Sequence, residues 1–61
     1  MNELSKIQID ALKAKDICNL TDIDDVLVAS YDLGYHYLNY LLKDNNFIIE
    51  YLRYVNNEKQ Q

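Results

Sequence analysis

Thr21 to Lys43 reads TDIDDVLVASYDLGYHYLNYLLK, and the fold turns on how this stretch is read. At about 100° per residue, its apolar members from Ile23 to Leu42 cover roughly two-thirds of a helix circumference. The polar remainder is a narrow strip of Asp25, Asp32, His36, Asn39 and Lys43. An ordinary surface helix needs an apolar stripe only a little wider than about 100°. A continuous helix over 22–43 would therefore have to bury two faces, as the middle of a bundle or as the seam of an assembly. Gly34 is the point of doubt. It sits four residues after Ser30, and a Ser30/Gly34 pair inside a helix would let another backbone cross closely. Alternatively Gly34 ends the helix, as glycine often does. The apolar arc keeps its phase through Gly34, which favours the continuous helix.

Flanking signals suggest two further helices. Ser5 with Gln8 has the form of a capping box, and Leu4 with Ile9 that of a hydrophobic staple. Leu4, Ile7, Ala11, Ala14 and Cys18 follow as a heptad-like stripe. Helix 1 is expected over 6–17. Asn19, Leu20 and Thr21 break the chain, with Thr21 as the expected cap of helix 2 and Asp22, Asp24 and Asp25 complementing its N-terminal partial charge. Asp44, Asn45 and Asn46 are a strong turn signal. Beyond them Phe47, Ile48, Tyr51, Leu52 and Val55 share one face, with Glu50, Arg53 and Asn57 opposite, giving a third helix over 46–56 and a fraying tail to Gln61. The expected fold is all-α: one domain over 1–61, a three-helix antiparallel bundle with helix 2 long and central.

A chain of 61 residues makes a small core, and domains of this size often need a staple. One cysteine rules out an internal disulfide, and one histidine with one cysteine does not make an ordinary zinc set. Self-association or a partner is the remaining supplement, so a homo-oligomer is expected.

The net charge of −4 argues against direct contact with nucleic acid or an anionic membrane. No basic-then-apolar leader and no long uncharged apolar window is present, and the default is a cytoplasmic protein with a reduced thiol. Heavy use of Asn, Ile, Lys and Tyr points weakly to an A/T-rich genome, such as that of a low-GC bacterium or its phage.

Chemistry is sparse. Read as a calcium loop starting at Asp22, the chain has Leu27 and Leu33 where glycine and glutamate are needed, so no metal site is expected. Asp32 and His36, four apart, are read as a surface ion pair. There is no phosphate loop and no nucleophile positioned by a base, so no catalytic residue and no cofactor is assigned. A DNA-reading helix-turn-helix would need a basic recognition helix, which is absent.

Six tyrosines remain. Tyrosine suits a surface that is wet when free and dry when bound. Tyr31 and Tyr35 lie on one shoulder of helix 2, Tyr37 and Tyr40 on the other. Val28 extends the first shoulder between Asp24 and Asp32, so Tyr31, Tyr35, Val28, Asp22, Asp24, Asp25 and Asp32 are the expected partner-binding residues, with Ser30 and Gly34 at a helix crossing. The expected function is that of a small acidic regulator or inhibitor that occupies a surface of another protein. A phage or mobile-element protein blocking a basic nucleic-acid-handling factor of the host would fit. The alternative is a homodimeric structural or scaffold protein.

Overall fold

The computed structural model describes the backbone of residues 1–59 and the side chains of residues 1–56. These residues form four helices and no strand: α1 (Glu3–Lys15), α2 (Ile23–Asp32), α3 (His36–Leu41) and α4 (Asn45–Lys59). The all-α class is as expected. The three-helix bundle with a long central helix is not what forms.

Helix 2 ends at Asp32 because Gly34 takes a left-handed conformation, φ 77°. The Tyr35 amide donates to the Ser30 carbonyl at 2.8 Å and the Gly34 amide to the Tyr31 carbonyl at 3.1 Å. This is the Schellman pairing that closes a helix C-terminus, with glycine at the left-handed position and Tyr35 packing inward behind it. The wide apolar arc is thereby divided. α2 buries Val26 and Ala29, the chain folds back, and Leu38 and Leu42 bury against the same core. No second partner is needed to cover a second face of one helix. The Ser30/Gly34 crossing is likewise absent: a methyl built on exposed Gly34 would meet nothing within 4 Å. Ser30 is buried and satisfies its hydroxyl on the Leu27 carbonyl at 3.1 Å.

The cap of α1 also differs from expectation. Asn2 is the capping residue; its side chain accepts from the Ser5 amide at 2.9 Å, while the Ser5 hydroxyl donates to the Asn2 carbonyl at 2.8 Å. Helix 1 therefore starts near Glu3 and not near Lys6. It stops at Lys15, where Asp16 turns left-handed with φ 53°. Its core face is Ser5, Ile9 and Leu12. Of the heptad stripe, Leu4, Ile7 and Ala14 face outward, Ala11 is half-buried, and Cys18, past the helix end, packs against the core. Two alanines in that stripe offer little area to bury, and the opposite orientation brings Gln8 to the start of α3. There its Oε1 accepts the Leu38 amide at 2.9 Å.

Asp22, not Thr21, caps α2, accepting from the Asp24 and Asp25 amides at 3.1 and 3.4 Å. Thr21 joins the loop, donating through its amide and hydroxyl to Asn19 Oδ1. Asp44 starts α4, its side chain accepting from the Asn46 amide and its carbonyl from the Ile48 amide. Phe47, Tyr51 and Val55 line the inner face of α4 as anticipated. The Tyr51 hydroxyl donates to the Leu20 carbonyl at 2.5 Å, tying α4 to the α1–α2 loop. The backbone of α4 continues past Asn56 to Lys59. The Asn57 side chain, expected on its polar face, and the end of the fraying tail, Gln60 and Gln61, lie outside the described residues.

Candidate protein-binding site

The return of α3 against α2 forms a groove of about 340 Å³ lined by Leu27, Val28, Tyr31, Asp32, Asn39 and Lys43. Its floor is held by side chain to backbone bonding: Asn39 Nδ2 donates to the Leu27 carbonyl at 2.9 Å and reaches Ser30 Oγ at 3.4 Å. Asn39 thus satisfies a carbonyl in α2 and fixes the separation of the two helices. Val28 is 63% and Tyr31 65% exposed, high values for large apolar and aromatic side chains. Lys43 also lines an adjoining hollow with Tyr40, Leu41 and Asp44, and Tyr40 is 72% exposed. Val28 and Tyr31 thus lie on the groove and Tyr40 on a second hollow that shares Lys43 with it.

The expected tyrosine pairs do not stay together. Tyr31 is exposed whereas Tyr35 packs on the core; Tyr40 is exposed whereas Tyr37 is half-buried and its hydroxyl accepts from Asn2 Nδ2. Tyr31 and Tyr35 part because the left-handed Gly34 lies between them, whereas Tyr37 and Tyr40 both belong to α3 and part by their places around that one helix. His36 does not pair with Asp32 among the described residues. Its ring lies edge-on to Tyr31, 5.8 Å between centroids and 73° between planes, which props the Tyr31 ring.

Of the expected acidic residues, Asp24 and Asp32 flank Val28 one helical turn away on either side. Asp22 is occupied as the cap, and Asp25 Oδ2 accepts from the Asn19 amide at 3.4 Å. Asn39, Leu27 and Lys43 are groove residues that the sequence reading left out. Taking Gly34 as a helix stop would have pointed to them, since only a folded-back α3 brings them beside α2.

Other hollows offer less. Met1, Lys6, Glu50, Arg53 and Tyr54 surround a polar one, where the Met1 amine lies 3.6 Å from Glu50. Another, beside Leu12, Lys13 and Leu20, contains Cys18. Partial burial, then Asp25 and Asp16, push that thiol up from its ordinary 9.0, so it stays protonated and weakly nucleophilic at neutral pH. Among the described residues no group of three or more His, Cys, Asp or Glu is placed to hold a metal ion. No helix there is long and apolar enough to cross a membrane. Comparison with protein-family models, curated proteins and solved structures finds no match to this chain.

Proposed function

We propose that the protein is a small protein-binding regulator that works by occupying a surface of another protein with the α2–α3 groove and the tyrosines beside it. One observation carries this reading: Val28 and Tyr31 stay exposed on the groove, and Tyr40 on the hollow that shares Lys43 with it, although the chain has a buried core of its own. Aromatic residues in such positions commonly supply most of an interface's energy. The proposed action is occupancy and not catalysis, in the cytoplasmic setting that a single reduced cysteine suits.

The test is affinity capture with the wild type and with a Tyr31→Ala, Tyr40→Ala double variant of matched melting temperature. At least one captured protein should bind the first and be lost from the second. Identical capture by both ends this reading.

A further inference from the structure

The groove between α2 and α3 carries charge that the helix it belongs to does not call for. Asp22 to Asp32 contains four aspartates and no basic residue, whereas the six other acidic residues of the chain are matched by six basic ones. The entire net charge of −4 therefore resides on this segment. Asp22 and Asp25 have structural duties as cap and loop tie. Asp24 lies in the first turn, where the positive end of the helix favours a carboxylate. Asp32 is different. It lies in the last turn, which has no basic residue and whose partial negative charge opposes it. Its side chain makes no ion pair or hydrogen bond among the described residues. It stands on the groove wall beside Val28 and Tyr31.

We propose that the groove takes a basic segment of another protein, with a large apolar side chain entering between Leu27, Val28 and Tyr31 and a neighbouring arginine or lysine pairing with Asp32. Asp24, one turn beyond Val28, draws a second cation. Among the described residues Lys43 is the one cation and Asp32 the one carboxylate lining the groove, and Asp24, one turn from Val28 on α2, adds a second carboxylate at its border. A second copy is a poor occupant through this face, because groove against groove sets Asp32 and the bordering Asp24 against their own copies. This inference rests on the groove being the binding surface.

The probe is a fluorescein-labelled amphipathic helical peptide of leucine and lysine, followed by anisotropy at two salt concentrations, with a leucine and glutamate peptide beside it. The lysine peptide should bind and the glutamate peptide should not. Tyr31→Ala should weaken binding about tenfold or more, as loss of a buried aromatic anchor does. Val28→Lys, at an exposed site, should abolish it. Asp32→Asn should weaken it several-fold and flatten the salt dependence, while Glu3→Gln, which removes the same charge from α1, should change it less than about twofold. Equal losses from Glu3→Gln and Asp32→Asn, or equal binding of both peptides, overturn the proposal. So does wild-type self-association in light scattering that Tyr31→Ala abolishes, which would give the groove to a second copy. If the lysine peptide fails while protein capture still depends on Tyr31, the basic partner is wrong and the protein-binding reading stands. If neither depends on Tyr31, both fall.

Discussion

The outward side of α4 exposes one large apolar residue, Ile49, whereas the α2–α3 unit exposes Val28, Tyr31 and Tyr40. Both regions contribute buried side chains to the same core, so the difference is not one of participation in the fold. In α4 the apolar residues converge on one stripe. In α2–α3 the apolar content exceeds what one core face can take, and the Gly34 turn lets each half give its best face inward while the excess stays outside. A surplus left after the core is filled is a surface available for contact, and the segment's uncompensated aspartates border it.

The contrast predicts that two tyrosines will respond in opposite ways. Tyr51 is fully buried, and truncating a buried aromatic commonly costs about 3–5 kcal/mol. For a chain this short that is comparable to the whole stability, at roughly 0.05–0.15 kcal/mol per residue. Tyr51→Ala should therefore be largely unfolded by circular dichroism. Tyr31→Ala should stay within about 0.5 kcal/mol of wild type in urea unfolding. A large loss at Tyr31 would make it a core residue and break the comparison.

The turn itself comes next. Gly34→Ala should cost about 1–2 kcal/mol, the penalty for placing a side chain in the left-handed region. Gly34→Leu should cost about the same, since the space around the added atoms is open. A much larger loss with leucine would restore a helix crossing at this position. Asp16→Gly offers the mirror test, relieving a left-handed aspartate at the end of α1 and gaining about 0.5–1 kcal/mol.

Alkaline pH should sharpen the distinction at α4. Burial, and then the neighbouring Cys18, push the Tyr51 hydroxyl up from the ordinary 10.0. The folded protein thus keeps a proton that the unfolded chain releases, so the contribution is intact below pH of about 10 and lost as pH rises beyond it. Melting temperature should fall more steeply there in the wild type than in Tyr51→Phe. Equal slopes would mean that the hydroxyl is solvated. The smallest expected effect lies on α2: Asp32→Asn should raise stability by about 0.3 kcal/mol by removing a charge that opposes the helix end. Asp22→Ala should lower it by about 1 kcal/mol through loss of the cap. If Asp32→Asn is destabilising, the carboxylate belongs to the fold and not to the groove.

α4 was legible because a single apolar stripe follows the strong turn signal of Asp44, Asn45 and Asn46. α1 was harder, since Leu4/Ile7 and Ile9/Leu12 each form a plausible inner face and local spacing does not choose between them. The choice depends on Gln8 reaching α3, a contact thirty residues away. Gly34 misled for a related reason. Its neighbours hold helical phase on both sides, and phase carries no information about a left-handed residue between them. Val28, Tyr31, Asp24 and Asp32 were readable as a patch because they lie within one helix. Asn39 and Lys43 enter the groove only after the chain has turned.

The bond from Gln8 to the Leu38 amide also sets an order of events. α3 has only six residues, its preceding Tyr35 makes no side-chain capping bond, and an isolated helix of that length does not persist in water. One of its free amide donors is instead satisfied by α1. Its backbone protons should then exchange with solvent in step with those of α1, as one cooperative unit. Gln8→Ala should speed exchange in α3 well before it alters global melting. The wall of the groove that α3 supplies is in this sense lent by the far end of the chain, and loosening α1 would open it.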